Sequence, residues 1–409
     1  MTASTSPTSA PQPAVRTAPA WNVCLSHDPA LGGLYRAIGD FARGLAAPIL
    51  SFDDGRRQRA DLSAVDGAVR IPCGTGWLGR DCHVMPAAAA REAERVLASA
   101  DLLVVHSLFR AHAPWAARWA GDRGRRYWSV PHGCLDPWSL GHRRLAKQAW
   151  LTVHGRAFLE GAERVVFSTQ RARDKARPWV SGGQVRGGQA VVVHWPVDVP
   201  RLDGRDDARR RFRERVGIPA DVPLLLFVGR LHPVKRPLET LAWFSAADTH
   251  GSHLAMVCIE GSLTKADLVR AIPRSHADRI HVTGPLAAAD LGDAYLASDG
   301  FISLSHQENF GYAAAEAVAH GVPVILSPGH DLAHDMPRDM AGQLACGWLL
   351  PDDSRTAAEQ AISAWAALAA AGESRLAPLG TAGRAWAAET LSFDRFTAEL
   401  HRLAATTAS

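Results

Sequence analysis

Cysteine is scarce in this chain: six in 409 residues, at Cys24, Cys73, Cys82, Cys134, Cys258 and Cys346, with no CxxC pair among them. That spacing excludes a zinc ribbon and a small disulfide scaffold, and free thiols in a reducing compartment are expected. Cys82 stands beside His83, but no second ligand pair accompanies it. No apolar run approaches the roughly 20 residues that a membrane span needs. The first twenty residues are rich in Ser, Thr, Pro and Ala and lack the basic start and apolar middle of a signal peptide, so residues 1–20 are expected to form a disordered tail. A GxGxxG turn is missing too. Residues 26–33 read SHDPALGG, which argues against a nicotinamide-dependent oxidoreductase. No Asp-x-Asp pair and no internal repeat is found.

What is present is an ordinary globular composition, 47% hydrophobic and 21% charged, in a chain long enough for two domains. The formal net charge of +4 is unevenly spread. Residues 21–200 carry 24 Lys or Arg against 16 Asp or Glu, and residues 201–409 carry 20 against 25. A basic N-terminal half favours an anionic partner on that side, either a phosphate-bearing substrate or an anionic membrane surface. No nucleic-acid partner is expected.

Strands and helices alternate along the chain. Trp21–Ser26 reads as a strand, followed by a Gly-containing loop and a helix with apolar residues at Leu34, Ile38, Phe41 and Leu45. Strands are expected at 102–107, 126–130 and 165–169, and the run 191–199 closes this half. The charged, Pro- and Gly-punctuated stretch 200–222 reads as a link. A second series follows, with strands near 223–230, 254–261, 280–284, 300–305 and 322–327 and helices at 237–246 and 287–297. This alternation predicts an α/β fold with two Rossmann-like domains, 21–200 and 201–384, each a parallel sheet covered on both faces. Ligands of such sheets bind at the carboxyl ends of the strands, so two facing sheets make a cleft.

Two segments carry chemistry. Val228-Gly229-Arg230-Leu231-His232-Pro233-Val234-Lys235 ends a buried strand and places two cations on the following loop, beside a helix opened by Pro237. Arg as a bidentate donor, Lys as a point charge and a helix N-terminus together suit a diphosphate. Ser303 to Glu316 reads SLSHQENFGYAAAE. A strand enters a loop holding Glu308, and an Ala-rich helix begins after Gly311, with Glu316 between one and two turns further on. Two carboxylates so placed can accept hydrogen bonds from sugar hydroxyls.

Taken in order, VGRLxxxK, an IEG strand, VTG and then SLSxxExFGxxxxEAxAxGxPVI resemble the family-four glycosyltransferases, the retaining group with the GT-B fold, whose hallmark is a pair of glutamates spaced like Glu308 and Glu316. The resemblance is strong over 226–328 and looser over most of 21–400. It implies that Arg230 and Lys235, with Gly229, bind the diphosphate of a UDP- or GDP-sugar. It implies that Glu316 holds the ribose, and that Glu308 with the backbone of Asn309, Phe310 and Gly311 holds the transferred hexose. Thr283, Gly284 and Leu286 would lie near the nucleobase. Arg236 departs from the family, which usually has Gly there, and would stiffen the loop or add a third cation near the phosphates.

Resemblance in the N-terminal half is less specific. Gly32-Gly33 matches a Gly-rich loop that lets backbone approach the donor phosphates. Pro131-His132-Gly133, with Asp136-Pro137-Trp138, resembles the PHG…PW variant of bacterial polysaccharide enzymes and implies that His132 sits near the reacting sugar, with His106 a weaker candidate. Catalytic roles are thus expected for Glu308, His132, Arg230 and Lys235, with no metal and no cofactor beyond the donor. The family also implies a C-terminal helix, about 385–409, crossing back onto the first domain. The basic segment His142–Lys147 could face a membrane or a lipid diphosphate. The acceptor implied is a glycan or a polyprenyl-diphosphate-linked oligosaccharide in surface polysaccharide synthesis, with the enzyme cytoplasmic or peripheral on the membrane's inner face. The competing reading is a non-catalytic partner subunit of the same fold that binds a glycan or a sister enzyme.

Overall fold

The computed structural model describes residues 19–28, 31–53, 68–73, 85–180 and 190–406. Cys82, His83 and most of the N-terminal tail lie outside them. The first sheet holds β1 (Ala20–Cys24), β2 (Ile49–Asp53), β3 (Val69–Pro72), β4 (Leu102–His106), β5 (Arg126–Val130), β6 (Arg164–Phe167) and β7 (Ala190–Val192) in the order β3-β2-β1-β4-β5-β6-β7. The second holds β8 (Leu224–Arg230), β9 (His253–Ile259), β10 (Ile280–Thr283), β11 (Gly300–Ser303), β12 (Val324–Leu326) and β13 (Gly347–Leu349) in the order β10-β9-β8-β11-β12-β13. Every pairing is parallel. Central strands such as LLVVH of β4 and LLLF of β8 are buried, because helices cover both faces of a parallel sheet.

Strand order reverses direction between β1 and β4 in the first sheet, and between β8 and β11 in the second. At such switch points the flanking connections leave on opposite faces and open a crevice at the carboxyl ends of the strands. Gly32-Gly33 follows β1, His106 ends β4, Arg230 ends β8 and Glu308 follows β11. The topology therefore delivers all four to the two crevices.

The C-terminal segment is two helices, Glu373–Thr390 and Phe393–Ala405, where the family resemblance implies a single helix over about 385–409. The break is fixed by side chains. Leu391 is fully buried, its carbonyl accepts from Val197 N–H at 2.9 Å, and Ser392 caps the second helix by accepting from Arg395 N–H. The last helix docks on the first sheet's side. Phe396, Leu400 and Leu403 are buried, each contributing about 1.5–3 kcal/mol by removal from water. His401 bonds the Gly44 carbonyl, and Arg126 and Arg164 donate to the carbonyls of Ala404 and Thr406. Cys24, Cys134, Cys258 and Cys346 are free thiols, but Cys73, expected free, is disulfide-bonded. Linear spacing carries no information on which thiols a fold brings within bonding distance.

Candidate functional site

The loop after β8 places the two cations. Gly229 and Arg230 end the strand, and a short 3-10 turn, Pro233–Lys235, carries the lysine inward. Lys235 is ion-paired to Glu308. Burial pushes its ammonium down to about 8, the neighbouring Arg230 guanidinium adding in the same direction, so it remains charged at pH 7. The Glu308 carboxylate in contact with it pulls the other way.

Arg236 does not join them. It takes a left-handed backbone (φ 52°), the conformation a glycine would adopt without strain. Its guanidinium turns to Asp353, donating to Oδ1 and the carbonyl at 3.1 Å each, and lies over the Trp243 ring at 4.5 Å. Of the two outcomes expected for Arg236, a stiffer loop or a third cation near the phosphates, its guanidinium serves the first by holding the loop to the 353 turn.

Glu308 is set by its backbone rather than by its neighbours in sequence. Its N–H donates to the Gly329 carbonyl and its own carbonyl accepts from Asp331 N–H, both at 2.9 Å, which clips the loop to the 329–331 segment. Gly311 has φ 80°, and a Cβ there would meet Glu308 Cγ at 2.9 Å, so the tight entry into helix Tyr312–Ala319 needs glycine. The N–H groups of Asn309, Phe310 and Gly311 make no hydrogen bond among the described residues. Phe310 itself is core, buried against Trp195 and Tyr312. Beside the loop, His330 Nε2 is hydrogen-bonded with Ser303 Oγ at 2.9 Å, and burial first, then Lys235, pushes the ring down to about 3.

Glu316 is not open to the cleft. One carboxylate oxygen accepts from Arg36 of the first helix (Gly33–Gly44), the other from Tyr295 Oη at 2.9 Å. Arg36 also lies over the Tyr312 ring at 4.5 Å, and Tyr312 Oη donates to Asp40 at 2.9 Å. Gly33 completes this contact: a Cβ there would come within 3.3 Å of the Tyr312 ring. The Gly32-Gly33 loop therefore packs directly against the helix that carries Glu316. Thr283 ends β10, its hydroxyl donating to the Gly284 carbonyl, and Leu286 packs, half-buried, on the core.

On the first sheet's side, His132 follows β5 with φ 49°, a strained left-handed value for a non-glycine residue. Its Nε2 lies 2.9 Å from His106 Nδ1, and its ring packs against Trp195. Burial pushes His132 down to about 3. The two sheets are tied at this level. Asn309 Nδ2 donates to Ser168 Oγ at 2.8 Å, and Lys175 Nζ bridges Asp136 and Asp331 at 2.7 Å each. Asp335 accepts from Gln170 N–H at 2.9 Å and lies 3.1 Å from His194 Nε2.

The structure thus brings together Arg230, Lys235 and Glu308 on one wall and the Gly32-Gly33 loop with Glu316 at their side, with His132 opposite. Sequence reading missed Arg36, Tyr295, Ser168, Lys175 and Asp331. Each acts through a partner on the other domain or a distant element, for which local spacing has no signal.

Residues 208–376 match the family described as glycosyl transferases group 1. Among curated relatives, D-inositol 3-phosphate glycosyltransferase from Kineococcus radiotolerans is 30% identical over 65% of this chain and 62% of its own length. The protein of the same name from Thermobispora bispora is 34% identical over 62% of this chain and 64% of its own. The chain so spans less than two thirds of the length of these relatives. Among solved structures, Anabaena Alr3699/HepE in complex with UDP superposes with a TM-score of 0.72 at 16% identity, over 94% of this chain and 98% of that one. Two parallel sheets with a crevice at each switch point give the chain the GT-B fold, and within it residues 208–376 are similar to the glycosyl transferases group 1.

Proposed function

We propose that the protein is a retaining glycosyltransferase that moves a hexose from a UDP- or GDP-sugar. The observation that carries this reading is the convergence of Arg230, Lys235 and Glu308 with the free N–H groups of 309–311 at one crevice. The cations and the helix N-terminus would stabilise the leaving diphosphate, and Glu308 with the loop N–H groups would hold the hexose. Glu316 would exchange its bonds to Arg36 and Tyr295 for ribose hydroxyls. No protein nucleophile is assigned. Catalysis is charge stabilisation and positioning, with the acceptor hydroxyl attacking the face the diphosphate leaves. No metal enters this reading. Ties such as Lys175–Asp331 would open and reform as the domains separate to admit substrates.

The acceptor we favour is a glycan or a lipid-linked oligosaccharide of surface polysaccharide synthesis, reached by a cytoplasmic enzyme resting on the membrane's inner face. Its support is a largely exposed segment, residues 137–159, which contains no Asp or Glu and exposes Trp138, Leu145 and Val153 among Arg143, Arg144 and Arg156. Among the described residues no helix is long and apolar enough to cross a membrane. The relatives' names favour a second acceptor class, an inositol phosphate, which the same basic half would suit.

The experiment is a thermal-shift panel of UDP, GDP, ADP and CDP with their common sugars, on wild type and Lys235→Ala in parallel. A ligand bound to the native state raises the melting temperature by mass action. One nucleotide family should stabilise wild type and not the variant. If millimolar ligand shifts neither protein, the reading fails, and a partner subunit that binds a glycan or a sister enzyme takes its place.

A further inference from the structure

Behind His132 runs a chain of hydrogen bonds that fixes where its proton sits. Asn22 is fully buried in β1, and its Nδ2 donates to the Ala47 carbonyl at 3.2 Å. A carbonyl has no proton to give, so this contact fixes the orientation of the amide and leaves Oδ1 facing His106 Nε2 at 3.0 Å. An amide oxygen only accepts, so His106 Nε2 carries a hydrogen. Burial, with the imidazoles of His132, His112 and His27 adding to it, holds His106 well below the ordinary range, so the ring is neutral. A neutral imidazole has one N–H, and His106 Nδ1 is therefore an acceptor. The bond at 2.9 Å must then be donated by His132 Nε2. His132 is itself held neutral, so its remaining nitrogen, Nδ1, is a bare lone pair, and it makes no hydrogen bond among the described residues. The next residue, Gly133, packs against the Glu308 loop, where an added Cβ would lie 3.2 Å from Asn309 Cβ.

We infer that Asn22 and His106 are positioning residues that lock His132 in its Nε2–H tautomer, so that Nδ1 is presented as a hydrogen-bond acceptor for a hydroxyl of the transferred hexose. The inference rests on the glycosyltransferase reading for the hydroxyl, and on geometry alone for the tautomer. A ring free to choose either tautomer would offer a donor in place of an acceptor for part of the time. The preset costs nothing at the moment of reaction, because two buried polar groups with no other use of those atoms hold it. The β4 and β5 ends pay for it in backbone strain, with Ser107, Phe109 and His132 all at positive φ.

The test is two-bond proton–nitrogen correlation NMR on the full chain labelled with 15N-histidine, which reads each ring's tautomer directly. In wild type, His106 and His132 should both carry hydrogen on Nε2 and none on Nδ1. His106→Asn keeps an acceptor oxygen near the Nδ1 position, whereas His106→Leu removes it. His106→Asn should retain the His132 tautomer and most of kcat. His106→Leu should mix the tautomers and lower kcat by roughly tenfold with little change in donor KM, the effect of losing one aligned hydrogen bond in the transition state. Asn22→Leu should act in the same direction through His106. A proton on His132 Nδ1 in wild type overturns the inference, as does equal behaviour of the two His106 variants in both tautomer and rate. Should wild type turn over no nucleotide sugar, the glycosyltransferase reading fails, while the NMR still decides the tautomer.

Discussion

Lys235 is the residue on which the donor site can be tested most sharply, because its charge is poised to titrate. Its ammonium sits at about 8, against a solvated value near 10.5. The sign follows directly: a cation with a lowered value loses its proton as pH rises through 8, and with it the attraction for a diphosphate. The charged fraction falls from about 0.9 at pH 7.0 to about 0.24 at pH 8.5, so donor affinity should weaken roughly fourfold over that interval. The ligand should be a nucleotide sugar rather than a free diphosphate, because its bridged phosphates have no proton to lose in this range. Lys235→Arg supplies a charge that does not titrate, and its affinity should stay flat across the same pH range. Lys235→Ala should lose about 1.5–3 kcal/mol, a 10- to 150-fold weaker Kd, at pH 7.0, and its deficit should shrink about fourfold at pH 8.5, where wild type has itself lost most of the charge. Isothermal titration calorimetry at pH 7.0 and 8.5 on the three proteins is the assay. A wild type whose affinity does not change would mean that the Glu308 contact outweighs burial and keeps the lysine charged. Weakening of wild type and Lys235→Arg by the same factor would place the titrating group elsewhere and refute the clamp's dependence on Lys235.

Two further outcomes follow from the geometry. Burial pushes the Asp331 carboxyl up to about 6, against the opposing pull of Lys175. The native state therefore holds a proton that the unfolded chain has released, and stability falls as pH rises from 4 to 6, by about 2 kcal/mol. Asp331→Asn keeps an acceptor for Lys175 but cannot titrate. Wild type should lose roughly 2–3 °C relative to that variant between pH 4 and 7 by calorimetry, and parallel melting curves would refute the assignment. For the exposed segment 137–159, wild type should float with vesicles containing phosphatidylglycerol and not with neutral ones. Arg143→Ala combined with Arg144→Ala should weaken that partition about 30-fold at low salt, and flotation indifferent to lipid charge removes the membrane surface from the proposal.

Sequence by itself determined the fold class and one wall of the site. Buried strands, cap residues and glycines impose local geometry through their own backbone preferences, so the helix at 237–246 and the turn at Gly311 were legible without the fold. So was the placing of Arg230, Lys235 and Glu308 at strand ends, with Glu316 on the helix that follows, because strand–helix alternation fixes which end a loop occupies. Strands β2, β3 and β13, at or beside sheet edges, escaped notice, since three to five residues carry too little periodicity to distinguish them from loops. Tertiary structure alone decided which partner each side chain meets. It gave Arg236 to Asp353 and Trp243, and Glu316 to Arg36 across 280 residues of chain. It also set the line Asn22–His106–His132, whose members come from three strands or strand ends. Hydrogen bonds and ion pairs act over a few ångströms of space, and a one-dimensional order specifies such distances only within a turn or two of helix or along a single strand.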